Sequence, residues 1–138
     1  RAAFYGITRD STQMDMVTAA FKSLIYQVMD IKEALKIDGI EVKNLSIDGG
    51  MAANSRFCQL LADFLGQEVQ VPSSLESTAI GAAITAGLGC HFFSIDDFKD
   101  KGSSNTTIYK PREQIFNPDD LIEWRKFLSV LLDAYKQE

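Results

Sequence analysis

The sequence predicts an α/β fold, and three observations carry that expectation. Apolar residues recur at the three-and-four spacing of amphipathic helices over several segments. Between them lie short alternating runs, Asn44–Ile47 and Glu68–Val71, that suit strands. Each such run ends at a glycine or proline break and is followed by a new helical segment. The order is helix, strand, helix, strand, helix, then a terminal helical part. That is few strands for so many helices, so half of a doubly wound sheet fits better than a complete one. At 138 residues a single domain is the default, and 46% apolar content supplies a core.

The elements follow in order. Residues 1–9, with Phe4, Tyr5 and Ile7 around Gly6, suit an edge strand or a lead-in loop. Asp10-Ser11-Thr12 is a polar break with capping residues. From Asp15 to Lys36 the apolar positions Val17, Ala20, Phe21, Leu24, Ile25, Val28, Ile31 and Leu35 keep helical spacing for about six turns. Asp38-Gly39 then ends that helix. Such a stripe is core packing and carries no chemistry.

Leu45-Ser46-Ile47-Asp48-Gly49-Gly50-Met51-Ala52-Ala53-Asn54 is the stretch with chemical content. It reads as a strand over Leu45–Asp48, a glycine turn and a helix start. Without a Cβ, Gly49 and Gly50 let a flat ligand or a phosphate approach the main chain closely. The helix that follows points its free amides at the same place, where they favour anions. Asp48 could cap that helix, orient a water or sit near a metal. Asn54 carries a donor and an acceptor, which suits a purine edge or a ribose hydroxyl. A strand, two glycines and a helix also make a common connector, and these residues alone leave both readings open.

A second helix is expected over Ala53 to Leu65, with Phe57, Leu60, Leu61 and Phe64 inside and Gly66 as its stop. Glu68–Val71 is a strand ended by Pro72, and Ser73-Ser74 a loop. Glu76–Gly87 is a helix made almost wholly of small residues. In water it should be buried, either in tight helix–sheet packing or backing a ligand cleft. Ser94-Ile95-Asp96-Asp97 starts a short helical turn, Asp100–Thr107 is a polar loop and Ile108–Pro111 is extended. Asn117-Pro118-Asp119-Asp120 combines cap, proline and acids to start a last helix to about Lys136. Its inner face is Leu121, Trp124, Leu128, Leu131, Leu132 and Tyr135.

Composition excludes several function classes. A net charge of −5 argues against nucleic acid, which needs a concentrated basic surface. No apolar run approaches a membrane span. No signal peptide is visible, and a first residue Arg1 reads as a piece of something longer. Cys58 and Cys90 sit among apolar neighbours and read as reduced, buried thiols of an intracellular protein. His91 stands without companions, so it is structural rather than a metal ligand.

Three ordered blocks carry a family resemblance. Arg1-Ala2-Ala3-Phe4-Tyr5-Gly6-Ile7-Thr8-Arg9, with Asp15-Met16 and Ala19-Ala20-Phe21, resembles the second signature pattern of the FGGY carbohydrate kinases, within them the glycerol kinases. Ile47–Asn54 resembles their adenosine-binding turn, and Glu76–Leu88 the small-residue helix that follows. The pattern's last acidic position, after Phe21, is Lys22 here, and Asp100–Thr107 and the segment before Asn117 match weakly.

The resemblance implies the C-terminal half of an actin-like ATPase (ribonuclease H-like) kinase: strand–helix repeats with a terminal helix. Residues 1–138 would be its nucleotide-side domain, without the N-terminal substrate and catalytic domain. Gly50, with Gly49, would pack under adenine, and Asn54 would contact base or ribose. The reaction implied is ATP γ-phosphoryl transfer to a glycerol hydroxyl with Mg²⁺, by alignment and charge neutralisation between closing domains. Glycerol would be bound mainly by the absent domain. The catalytic aspartate and phosphate-gripping threonine come from chain before Arg1, so no catalytic residue and no metal ligand is assigned here. The resemblance further implies a cytoplasmic protein and homo-oligomers of the full chain. A kinase of another polyol or sugar, or a non-catalytic α/β interaction module, are the alternatives at this point.

Overall fold

The computed structural model describes residues 2–73, 76–98, 105–112 and 115–136. The expected loop residues Gly102-Ser103-Ser104, together with Arg1 and Ser74, lie outside them. The described elements are α1 (Gln13–Ile37), β1 (Leu45–Ser46), α2 (Ser55–Leu65), β2 (Val69–Pro72), α3 (Ser77–Gly89), β3 (Thr106–Tyr109) and α4 (Pro118–Tyr135). Short 3₁₀ turns occupy Gly50–Ala53 and Ile95–Phe98. The chain divides into two compact units, one of Arg1–Val42 with Ile115–Glu138 and one of Lys43–Gln114.

In the two-helix unit, residues 2–12 form a lead-in without strand pairing. Tyr5 stacks on Phe127 at 5.1 Å. Thr12 caps α1 through a reciprocal pair of bonds with Asp15: the Asp15 amide donates to Thr12 Oγ1 at 3.2 Å, and the Thr12 amide donates to Asp15 Oδ2 at 2.8 Å. The backbone bond from Thr12, then its hydroxyl, holds the Asp15 carboxyl below its usual pKa. At the other end Gly39, at φ +80°, lets its amide reach the Lys36 carbonyl and the Ile40 amide reach that of Leu35. This is a Schellman closure.

The predicted α1 stripe is only partly inside. Ile25 is fully buried, whereas Val17, Leu24 and Ile31 are exposed. The reason is a second stripe that faces α4. Lys22 pairs with Asp120 at 3.2 Å, Tyr26 lies 5.5 Å from Trp124, and Arg125 binds both Asp30 and Glu33. Residues 22, 26, 30 and 33 share one helix face. These ion pairs are part-exposed and each contributes little, so the buried Tyr26 matters more. Burial, then the charge and hydrogen bond of Asp120, push its phenol up to about 12. In α4, Asn117 caps as expected, accepting from the Asp119 amide at 3.1 Å. Leu121 is buried and Trp124, Leu128 and Leu131 half-buried, but Leu132 and Tyr135 are exposed.

The second unit is built on a sheet of order β1-β2-β3. β1 runs parallel to β2, with Leu45 opposite Val69, and β3 runs antiparallel, with Val69 opposite Tyr109. Thr106 and Thr107, expected in a loop, belong to β3 because this β-branched run pairs with Val71 and Pro72. Val69 and Val71 point inward, as the alternation predicts. α2 buries Phe57, Cys58, Leu61, Ala62 and Phe64 and stops at Gly66 in the left-handed region, φ +58°. Asp63 on α2 is buried, and it accepts from Gln59 Nε2 and the Arg112 amide, both at 2.8 Å. Gln59 Nε2 also donates to the Lys110 carbonyl at 2.8 Å, so the chain leaving β3 is fastened to α2.

α3 departs from expectation. It forms where predicted, but of its residues only Gly87 is buried. Nearly every side chain on it is small and apolar, so no face is distinguished, and the described residues lay no layer over it. Packing is confined to its C-terminal end. A Cβ on Gly87 would run into the Phe93 ring, so a larger residue there would force the ring to shift. The Phe92 amide reaches the Gly87 carbonyl at 2.8 Å and the His91 amide reaches Leu88 at 3.2 Å. His91 sits at φ +58°. It thus fills, in a second Schellman closure, the position that Gly39 holds in the first. His91 is structural, as expected. Cys90 is exposed, against expectation, and its thiol donates to the Gly87 carbonyl at 3.6 Å at the helix end, where no described layer covers it. The turn after Ser94 forms as predicted, with the Ser94 amide donating to Asp97 Oδ2 at 2.7 Å.

Candidate functional site

The site begins where β1 ends. Only Leu45 and Ser46 count as strand, but the Ile47 amide still donates to the Gln70 carbonyl at 2.9 Å. The strand is therefore shorter than the expected Leu45–Asp48 because the chain already bends toward the glycines. Gly49 adopts φ +82° and ψ −176°, a conformation open essentially to glycine alone. Gly50 then starts the 3₁₀ turn, whose own bonds begin with the Ala52 amide on the Gly49 carbonyl at 3.0 Å. The amides before it lead the turn and have no partner within it.

The turn is anchored from beneath. The Ala52 methyl is buried in a cluster with Cys58 and Val71, against Ile47 and Tyr109. Cys58, fully buried, donates its thiol to the Ala52 carbonyl at 3.3 Å. Burial pushes that thiol's pKa up, so it acts as a small apolar tether and not as a nucleophile. From above, the turn is open: a Cβ built on Gly49 or on Gly50 would meet nothing within 4 Å. Apart from their chain neighbours, no described residue crowds the two glycines.

Asn54 is the N-cap of α2 and not, as expected, a residue inside a helix begun at Ala53. Its Oδ1 accepts from the Arg56 and Phe57 amides, both at 3.1 Å. Those are the amides the sequence offered to an anion, so the start of α2 is already satisfied by its own cap. The signal was in the sequence: asparagine ahead of the apolar-periodic run Phe57, Leu61, Phe64 is a capping pattern. Asp48 is exposed and caps nothing, because the residue in the capping position of the turn is Gly49, without a side-chain bond. Among the described residues no three His, Cys, Asp or Glu side chains gather as a metal site, so Asp48 has no companions for that role. The roles of Ala52 and Cys58 beneath the turn have no signal in the sequence beyond apolar spacing.

A cleft of about 1030 Å³ lies in the two-helix unit, lined by residues that include Met29, Lys32, Ile40, Phe116, Leu121 and Arg125. None belongs to the glycine turn. Burial lowers the Lys32 pKa, and Arg125 is already held by Asp30 and Glu33. No helix among the described residues is long and apolar enough to cross a membrane.

Comparison with known proteins gives this geometry a family. Residues 1–90 match the model of the C-terminal domain of the FGGY family of carbohydrate kinases. A glycerol kinase of Pediococcus pentosaceus is 37% identical over 123 residues, 88% of this chain and 24% of that protein. Glycerol kinase 1 of Pseudomonas aeruginosa is 42% identical over 98 residues, 70% of this chain and 20% of that protein. Among solved structures, Plasmodium falciparum glycerol kinase with ADP superposes with a TM-score of 0.65 at 25% identity, covering 97% of this chain and 26% of that one. A ligand-bound xylulose kinase of Lactobacillus acidophilus shares the fold, with a TM-score of 0.59 at 16% identity over 98% of this chain. The chain thus spans about a quarter of the length of the relatives it matches. The α/β arrangement expected from the sequence is that of these actin-like kinases. With a family model covering well over half its length, the chain belongs to the FGGY family of carbohydrate kinases.

Proposed function

We propose that this chain is the nucleotide-side domain of an ATP-dependent glycerol kinase, forming the adenosine-binding wall of its cleft at Gly49, Gly50 and Asn54. The observation that carries this is the open glycine corner, fixed from below by Ala52 and Cys58 and flanked by the exposed Asn54. Adenine lies flat on the main chain at Gly50, and the Asn54 amide meets the base or the ribose. The relatives' names, glycerol kinases from several bacteria and one solved with ADP, support the substrate and the nucleotide.

In the full protein ATP passes its γ-phosphoryl group to a glycerol hydroxyl, with Mg²⁺ offsetting charge on the phosphates. This chain's residues bind and orient the nucleoside end. They hold no catalytic base, and glycerol is met mainly by the domain that precedes them. Homo-oligomers and a cytoplasmic setting belong to the same proposal. The test is a phosphoryl-transfer assay on the full-length protein with glycerol and a panel of polyols and sugars. Glycerol-dependent ADP release, abolished by chelating Mg²⁺, is expected. Preference for another acceptor would move the substrate assignment, and no ATP turnover with any acceptor would overturn it. Asn54→Ala is expected to weaken ATP while leaving the glycerol KM nearly intact, and equal loss of both would count against the assignment.

A further inference from the structure

We infer that Asn54 recognises the nucleotide as a hydrogen-bond donor only, so that it reads an acceptor atom of the purine ring or the ribose and does not read the adenine amino group. This rests on the proposed nucleotide site. The argument is geometric. The side-chain oxygen of Asn54 faces two backbone N–H groups, those of Arg56 and Phe57, both at 3.1 Å. Two donors on one atom fix which end of the amide is oxygen, because nitrogen there would bring hydrogen against hydrogen. The amide nitrogen is therefore the end directed away from the helix. Asn54 is exposed, and its nitrogen takes no part in the cap.

The side chain is also anchored at its backbone. The Asn54 amide donates to the Met51 carbonyl at 3.1 Å, and its own carbonyl accepts from Cys58 at 3.0 Å. Both ends of the residue tie the glycine turn to α2. Flipping the amide to present its oxygen to a ligand would break two bonds at the helix start, so the donor polarity is built into the fold. An adenine amino group is itself a donor and finds no partner in Asn54. Ring nitrogens and ribose oxygens are acceptors and do. Purine riboside, which lacks the amino group but keeps N1, N3, N7 and the ribose oxygens, presents the same acceptors to this residue as adenosine does.

The experiment separates cap from donor in the full-length protein. Asn54→Asp and Asn54→Ser both keep a capping oxygen and both lose the amide donor. The serine controls for the charge of the aspartate. Asn54→Ala loses both functions. The expected result is an ATP KM raised about tenfold in all three, by loss of one ligand hydrogen bond, with the melting temperature lowered only in the alanine variant. On the unmodified protein, purine riboside triphosphate should show a KM within about threefold of ATP, which requires no mutant to fold. Among analogues lacking one acceptor, 7-deaza-ATP, 3-deaza-ATP and 2′-deoxy-ATP, the one whose penalty vanishes in Asn54→Ser names the atom read.

A wild-type ATP KM in the aspartate and serine variants would overturn the inference while leaving the nucleotide site standing. Strong selection against purine riboside triphosphate that disappears in Asn54→Ser would also overturn it. Absence of ATP turnover in the wild-type protein would instead remove the proposed function itself.

Discussion

α2 and α3 sit in one unit, each after a strand and a loop, yet they are held in opposite ways. α2 has two kinds of surface. Six of its residues are buried, a side-chain cap closes its start and a left-handed glycine closes its end. α3 has one kind of surface, no side-chain cap at Glu76 and a single buried residue, Gly87. The average residue of α3 is the more apolar of the two, but the apolar character is spread around the cylinder. Burial follows from where apolar groups are placed and not from how many there are.

Removing contacts where they are concentrated should give the largest effect. Leu61→Ala, at a position 1% exposed, is expected to lower stability by about 2–5 kcal/mol in urea unfolding. Ile80→Ala on α3, at a position 45% exposed, should stay within about 0.5 kcal/mol. Equal losses would erase the contrast. Next comes the one packed point of α3. Gly87→Ala drives a methyl into the Phe93 ring and should cost about 1–3 kcal/mol, with Phe93→Leu partly relieving it. Gly81, with open space around it, should respond in the other direction: Gly81→Ala is expected to stabilise by up to about 1 kcal/mol through helix propensity alone. A destabilising Gly81→Ala would mean that something in the full protein covers that face. The smallest change concerns the starts of the two helices. Glu76→Asp should supply the missing cap to α3 and raise stability by about 0.5 kcal/mol, read as a small rise in melting temperature.

What the sequence made legible follows the same logic. Element order, the caps at Thr12 and Asn117 and the inward face of α2 all come from local pattern, and the structure has them. The α1 stripe was only half right. Val17, Leu24 and Ile31 have helical spacing, but the face that meets α4 is set by Lys22, Tyr26, Asp30 and their partners almost a hundred residues away. Long-range pairing of that kind leaves no period to read. The glycine turn was placed correctly, while the job of Asn54 at the helix start was not, because a cap and a ligand contact draw on the same side chain. The composition of α3 predicts a buried setting, but composition does not state what lies beside a helix.

The two cysteines offer a practical consequence. Cys58 is sealed beneath the turn and Cys90 stands open at the end of α3. Of these two thiols, a maleimide dye added to the folded chain will therefore attach at Cys90 and leave Cys58 alone, giving a fluorescent reporter beside α3. Its emission would register whatever settles on that helix.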